Sequence, residues 1–121
     1  MNPKILIITT SAATMGTSDD PTGLWLEELT TPWYAFVDAG ADLTLASIAG
    51  GKIPVDPRSL KPAGENDASV ERALNDATFQ RLIAETPKFD TLDASGYDAI
   101  LLPGGHGTMF DYPQNAALAR L

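Results

Sequence analysis

The sequence predicts an α/β fold in which helices cover a parallel β-sheet. Three observations support this prediction: an apolar run near the N-terminus, an amphipathic helical pattern after it, and a second strand pattern after that helix. The apolar run, KILIITT at residues 4–10, is β-branched and uninterrupted, which is typical of a parallel strand buried on both faces. Strand, helix and strand in this order form a βαβ unit, which predicts a parallel sheet.

Each of these elements has a recognisable boundary. Residues 11–22 have turn composition and predict a loop at the carboxyl end of the first strand. A helix is predicted from Gly23 to about Ala39, with Pro32 as a kink and Gly40 as its stop. Its apolar stripe comprises Leu26, Leu29, Trp33, Phe36 and Val37. Residues 42–48, DLTLASI, predict the second strand.

The rest of the chain predicts a long loop, two short helices and a third strand. Residues 50–64 are rich in glycine and proline and predict mostly loop. Residues 66–85 predict two helices that break near Asn75 and Asp76. Their apolar stripe comprises Val70, Ala73, Leu74, Ala77, Leu82 and Ile83. The stretch YDAILLPGG predicts the third strand, and a further helix starts at residues 113–115.

Composition limits the classes of function. The 121 residues fit one domain, and a net charge of −8 without a basic cluster argues against nucleic acid as a partner. No apolar run reaches the ~18 residues of a membrane span, and no secretory signal is recognisable, so a cytoplasmic protein without membrane contact is expected. The absence of cysteine excludes disulfides, thiolate metal sites and a cysteine nucleophile within these residues.

A glycine loop after the third strand is the strongest candidate for a functional site. In Pro103-Gly104-Gly105-His106-Gly107, backbone N–H groups can approach an anion or a developing oxyanion, although the same residues also suit a plain turn. The loop lacks the third glycine of a dinucleotide fingerprint. His106, the only histidine, is either a proton carrier or a structural residue, and no spacing predicts a metal site.

Two adjacent carboxylates lie near the start of the first helix. Glu27 and Glu28 occur in GLWLEEL, where the helix dipole favours negative charge. At 100° per residue, Glu28 points away from the apolar stripe, which predicts a solvent-exposed side chain.

Four segments in this order resemble a known family. GLWLEEL followed by PGGHGTM about 75 residues later, together with KILIITTS and DLTLASIAGGKIPVDPRSL, resembles the ThiJ/PfpI superfamily of class I glutamine amidotransferase-like proteins. The resemblance is to its glyoxalase III-like and chaperone-like branch and covers nearly all 121 residues. It implies a flavodoxin-like three-layer sandwich with a parallel sheet. Residues 1–121 then form the N-terminal part of a single α/β domain, about half of a family member.

The resemblance also implies roles for three residues. Glu28 matches the family glutamate that contacts the nucleophilic thiol and acts as general acid and base. This role places Glu28 in a pocket, whereas its helical spacing predicts exposure, and the two agree only if that helix face borders a pocket that the other half completes. Gly105 and His106 match the loop whose backbone N–H groups face the nucleophile. The family's cysteine lies about 30 residues beyond this loop, outside the chain.

The implied activity is conversion of a small reactive carbonyl, such as methylglyoxal to D-lactate, without a metal or organic cofactor. The expected partners are a complementary C-terminal half or second chain and, in a homo-oligomer, further copies. The alternative is a non-enzymatic binding or holdase protein of the same fold, which uses exposed apolar sheet edges as its interaction surface.

Overall fold

The computed structural model describes residues 2–16, 18–105, 107–113, 115 and 118, without the side chains of Met109 and Phe110. In this part of the chain, three strands form one parallel sheet in the order β2-β1-β3. The strands are β1 (Lys4–Thr9), β2 (Asp42–Ser47) and β3 (Ala99–Leu101). The predicted parallel α/β fold is confirmed, and β1 lies in the middle because it pairs along both edges.

Both faces of β1 are buried, as its uninterrupted apolar sequence predicts. Side chains alternate across a strand, so Ile5 and Ile7 belong to one core cluster whereas Leu6 and Ile8 belong to another. Three helices cover the first cluster. The second cluster lies under the segment that precedes β3, mainly through Phe89, which is 1% exposed. The sheet is therefore the middle of three layers.

Helix α1 (Leu26–Asp38) ends where the sequence predicts it. Gly40 has a φ of +85°, a conformation that glycine adopts without steric cost. Its N–H donates to the Val37 carbonyl at 3.0 Å, and the Ala41 N–H donates to the Phe36 carbonyl at 3.0 Å. These two bonds form a Schellman motif, which turns the chain directly into β2.

Two short helices follow β2, with the predicted break between them. They are α2 (Ala68–Leu74) and α3 (Ala77–Ala84), separated by Asn75 and Asp76. The Asp76 carboxylate accepts the Phe79 N–H at 3.1 Å and caps the start of α3. An N-cap of this kind satisfies a donor that the helix cannot pair internally.

The predicted apolar stripe of α1 is wrong at one position. Val37 is 40% exposed, whereas Thr30 and Tyr34 are buried. The reason is that α2 and α3 pack beside the face that carries these two polar residues. The Thr30 and Ser69 hydroxyl groups lie 2.8 Å apart, and the Tyr34 hydroxyl donates to the Asp76 carboxylate at 2.9 Å.

The stripe predicted for α2 and α3 is only partly correct. Val70 and Ala73 are buried as expected. The exposed members are Leu74, Ala77 and Leu82. Phe79, which the stripe omitted, is 1% exposed and packs against the aromatic rings of α1. Phe79 and Leu82 lie about 60° apart around the helix axis, so the rotation of α3 decides which of them faces the core.

The remaining segments are loops and single turns. Short 3₁₀ turns occur at Pro57–Ser59, Phe89–Thr91 and Ala94–Gly96, and α4 (Thr108–Asp111) follows the glycine loop. The helix predicted from residues 113–115 onward lies largely outside the described residues. Among the described helices, none is both long and apolar enough to cross a membrane.

Candidate active site

The glycine loop after β3 is bonded to the segment that enters α1. Strand β3 ends at Leu101, two residues before Pro103. The Trp25 N–H donates to the Gly104 carbonyl at 3.1 Å, and the Gly107 N–H donates to the Gly23 carbonyl at 3.4 Å. Residues distant in the sequence are thus held together at the carboxyl edge of the sheet, where ligands bind in many open α/β folds.

Close backbone contact explains why this loop contains glycine. Gly105 has a φ of +149°, and a Cβ there would lie 2.4 Å from the Gly23 carbonyl oxygen and 2.7 Å from the Trp25 nitrogen. A Cβ on Gly107 would lie 2.9 Å from the Thr10 hydroxyl oxygen. Real Cβ atoms do not approach other atoms so closely. A side chain at Gly105 would therefore push the loop away from the segment that enters α1, and one at Gly107 would push it away from Thr10 and Ala12.

Glu28 lies against this loop. A Cβ on Gly104 would be 3.6 Å from Glu28 Oε1, so the carboxylate lies beside the glycine and faces the position that a side chain would take. A cleft of about 500 Å³ opens between the first turns of α1 and the end of β3. Its lining residues are Trp25, Glu27, Glu28, Thr31, Pro32, Leu101, Leu102, Pro103 and Gly104.

The position of Glu28 agrees with both expectations from the sequence. Its side chain is exposed, as the helical spacing predicts, and it also lines the cleft beside Gly104. Glu27 is exposed and lines the same cleft. Gly105 adjoins the lining through Gly104. His106, the third predicted site residue, lies outside the described residues.

The charge of the cleft is negative. Its charged side chains are Glu27 and Glu28, and no lysine or arginine lines it within the described chain. Nor do the described residues contain a group of three or more His, Asp or Glu side chains that could hold a metal ion. The chemistry that this lining offers is hydrogen-bond acceptance and proton transfer by a carboxylate.

The loop that enters α1 is fixed by an ion pair between the buried Asp56 carboxylate and the half-exposed Arg58 guanidinium. The Leu24 N–H donates to the Pro54 carbonyl at 2.8 Å, and the Asp56 N–H donates to the Leu24 carbonyl at 2.9 Å. The buried Asp56 carboxylate accepts hydrogen bonds from the Arg58 guanidinium at 2.7 Å and from the Thr22 hydroxyl at 3.3 Å. The Arg58 guanidinium therefore holds the pKa of Asp56 below its usual range.

Sequence reasoning missed the residue that anchors the far end of the glycine loop. The Asp111 carboxylate accepts the Thr10 hydroxyl at 2.8 Å and the Ser11 N–H at 2.7 Å. This contact ties α4 to the end of β1. An acidic residue after a glycine loop gives no signal of its partner, because the partner lies about a hundred residues earlier.

Tyr112, next to Asp111, also links the end of α4 to β1. Its hydroxyl donates to the Ile8 carbonyl at 2.7 Å. The next carbonyl of β1, that of Thr9, faces β2 and accepts the Ile48 N–H at 3.1 Å, so the Ile8 carbonyl faces the side where β3 has already ended. Burial raises the pKa of Tyr112 and keeps its hydroxyl protonated as a donor.

Known proteins are similar to this chain in sequence and in fold. No protein-family model matches the chain. Glyoxalase 3 of Candida albicans is 29% identical over 118 residues, which is 97% of this chain and 50% of that protein. The glutathione-independent glyoxalase HSP31 of Saccharomyces cerevisiae is 29% identical over 113 residues, 92% of this chain and 47% of that protein.

Solved structures of other proteins also resemble this chain in fold. Rapid Encystment Protein 24 kDa of Francisella tularensis superposes with a TM-score of 0.86 at 38% identity, covering 95% of this chain and 50% of that one. For glyoxalase III from Candida albicans the TM-score is 0.80 at 29% identity, covering 96% of this chain and 49% of that one. Over most of its length the chain is similar in sequence and fold to ThiJ/PfpI-type proteins. It spans about half the length of the curated relatives it matches.

The similarity to ThiJ/PfpI-type proteins can be compared with the geometry of the cleft. The extent of the match agrees with the N-terminal half that the motifs predict. Two of the three residues implied by the ThiJ/PfpI resemblance, Glu28 and Gly105, lie at or directly beside one cleft. Their catalytic roles, and that of His106, stay predictions.

Proposed function

We propose that this chain supplies the glutamate and glycine-loop side of a glutathione-independent glyoxalase site. The substrate class is a small reactive carbonyl such as methylglyoxal, and the nucleophilic cysteine lies outside these 121 residues, which contain none. The observation that carries the proposal is that the Glu28 carboxylate lies beside Gly104 and that both residues line one open cleft. The glyoxalase names of the relatives support the same activity.

The proposed reaction needs a thiolate and two proton shifts. The thiolate attacks the aldehyde carbon of methylglyoxal, a C–S bond forms, and the carbonyl oxygen takes a proton to give a hemithioacetal. Glu28 removes the proton from this carbon and returns it to the adjacent carbon, while the hydroxyl proton passes from the first oxygen to the second, which converts the adduct into a thioester of lactate. Water then cleaves the C–S bond and releases D-lactate and the thiol, so no oxidant or reductant is consumed.

The glycine loop has an electrostatic role in this proposal. Backbone N–H groups at Gly105 and His106 are suited to stabilise the negative oxygen that forms when the thiolate attacks. The loop can hold this position only with glycine at residue 105, because a side chain there would clash with the Gly23 carbonyl oxygen and the Trp25 nitrogen. His106 contributes its main chain in this scheme, because the family's catalytic histidine follows the cysteine and is not this residue.

We propose that the complementary C-terminal half, as part of the same domain or as a second chain, docks along β3. In the described chain β3 is an edge strand that pairs only with β1. Ile100 and Leu102 are 39% and 45% exposed there, although apolar residues in a parallel sheet are normally covered on both faces. A further strand on this edge would cover them and bring a nucleophile toward Glu28.

The two adjacent glutamates provide a matched test. In the complete cysteine-containing protein, Glu28→Gln should lower methylglyoxal turnover by about 10²- to 10⁴-fold, the usual contribution of a general acid and base. Glu27→Gln removes the same charge from the same cleft and should change turnover by less than about threefold, because loss of one exposed charge acts only through weak, screened electrostatics. D-lactate release gives the rate, and equal losses in both variants would refute the role of Glu28.

A binding or holdase function is the second candidate, and the exposed Ile100 and Leu102 favour it. Denaturing mass spectrometry of the purified protein separates the two. A cysteine-containing polypeptide that accompanies this chain, or extends it, supports the enzyme. A single species of 12.8 kDa that suppresses client aggregation and leaves methylglyoxal unchanged supports the holdase.

A further inference from the structure

Pro32 lies inside α1, four residues after Glu28. In an α-helix the carbonyl of residue i accepts the N–H of residue i+4. Proline has no N–H, so the Glu28 carbonyl cannot form this bond. Proline is also the least favourable residue in a helix interior, and here it lies in the helix that carries the candidate catalytic carboxylate.

The Glu28 carbonyl belongs to the part of α1 that lines the cleft. Helical carbonyls point toward the C-terminal end of the helix, so that of Glu28 points toward Thr31 and Pro32. Both of these residues line the cleft together with Glu28 itself. Glu28 therefore has a carboxylate and a backbone carbonyl next to the cleft.

We propose that Pro32 is a positioning residue that frees the Glu28 carbonyl to accept a hydrogen bond from a hydroxyl group of the bound ligand. The lining favours a ligand with donors and without negative charge, because its charged side chains are Glu27 and Glu28. The assignment of a reaction step rests on the proposed function. Methylglyoxal has no hydroxyl group, whereas the hemithioacetal has one, so the carbonyl acts after the C–S bond forms.

Pro32→Ala tests this proposal because alanine restores the missing N–H without adding bulk. The first measurement uses no catalysis: hydroxyacetone, an uncharged hydroxyl-bearing analogue, is titrated into isotope-labelled protein while the carbonyl ¹³C resonance of Glu28 is followed. We expect a hydroxyacetone-dependent shift in the wild type that falls at least threefold in Pro32→Ala. Pro32→Ser, which also carries an N–H, should reproduce the loss.

Val37→Ala is the matched control. It also raises helix propensity in α1, but Val37 is exposed and does not line the cleft, so its hydroxyacetone response should equal that of the wild type. A wild-type carbonyl that does not respond, or a response that Pro32→Ala leaves unchanged, would overturn the proposal.

The second measurement is kinetic and uses the complete cysteine-containing protein. Pro32→Ala should lower kcat for methylglyoxal about tenfold, which corresponds to one hydrogen bond, and change KM by less than twofold. The melting temperature should stay the same or rise, so the loss of kcat cannot follow from unfolding. An unchanged kcat would refute the assigned reaction step. A wild-type protein without turnover whose Glu28 resonance still responds would refute the proposed function and leave the role of Pro32 supported.

Discussion

Gly104 and Gly105 are neighbours in the sequence, yet a methyl group added to each would meet different surroundings. On Gly105 it would lie 2.4 Å from the Gly23 carbonyl oxygen, in a backbone conformation with a φ of +149°. On Gly104 it would lie 3.6 Å from Glu28 Oε1, which is ordinary van der Waals contact. At Gly105 the backbone packing of the fold excludes a side chain. At Gly104 a side chain would fit and would point toward the Glu28 carboxylate in the cleft.

This contrast predicts opposite outcomes for two alanine variants. Gly105→Ala should lower the free energy of unfolding by about 1–3 kcal/mol, because the backbone contact must open. Gly104→Ala should change it by less than about 0.5 kcal/mol, while reducing turnover through the methyl group beside Glu28. Urea denaturation of both variants measures the first effect, and equal stabilities would show that the close approach at Gly105 is not required.

At the residue scale, the glycine loop and the exposure of Glu28 could be predicted from the sequence, whereas the contacts that hold the loop in place could not. The glycine loop is visible as a motif, and the helical spacing of Glu28 predicts its exposure correctly. That the same side chain lines a cleft followed only from the family resemblance, because spacing within one helix says nothing about the loop opposite. The Asp111 contact to Thr10 and Ser11 had no local signal, since it joins two ends of the chain.

At the scale of elements, the Phe79 side chain packs α3 against α1. Phe79 is 1% exposed, and its ring centroid lies 5.7 Å from that of Trp33 and 6.0 Å from that of Tyr34. Arg72 adds a cation–π contact from α2, 4.1 Å from the Tyr34 ring centroid. The three helices therefore meet at an aromatic cluster.

Phe79→Ala should destabilise the protein by about 3–5 kcal/mol, the usual cost of deleting a buried aromatic ring. Leu82→Ala is the control in the same helix, because Leu82 is 39% exposed, and its effect should stay below about 1 kcal/mol. Thermal or urea denaturation measures both. If Leu82→Ala lowered the free energy of unfolding more than Phe79→Ala does, the predicted apolar stripe of α3, and not the observed one, would face the core.

The comparison of the predicted and observed apolar stripes of α3 shows that hydrophobic periodicity predicts burial poorly in a short helix. In a helix of 8 residues such as α3, more than one apolar stripe can be drawn, and the capping contact of Asp76 helps to decide which one turns inward. The burial of a polar side chain is equally hard to predict from hydropathy. Tyr34 is buried because its hydroxyl has a partner in Asp76, and no rule based on hydropathy includes such a partner.

At the scale of the whole molecule, one buried carboxylate links stability to pH. The pKa of Asp56 is lowered from its ordinary value of 3.8, mainly by the Arg58 guanidinium. The unfolded chain therefore binds this proton at a higher pH than the folded chain does. The contribution of Asp56 is fully present above the unfolded pKa and is lost as the pH falls through the lower, folded pKa.

Asp56→Asn should consequently cost about 2–3 kcal/mol at pH 7, and the difference from the wild type should shrink below about pH 4. Urea denaturation between pH 7 and pH 3 measures this difference. Asp93→Asn is the control, because the exposed Asp93 also has a lowered pKa but bonds only to the neighbouring Ser95 among the described residues. A difference for Asp56→Asn that stays constant with pH would contradict the assignment.

The central place of β1 also affects how the protein is made. Strand β1 leaves the ribosome before β2, which ends at Ser47, whereas β3 ends only at Leu101. At a synthesis rate of ~5–20 residues per second, ~3–11 s pass between the end of β2 and the end of β3, and during this time one edge of β1 has no neighbour. During that interval a buried, β-branched strand has an open edge, which is the type of segment that aggregates. Slow codons between residues 48 and 98 would therefore reduce the yield of folded protein without changing a single amino acid.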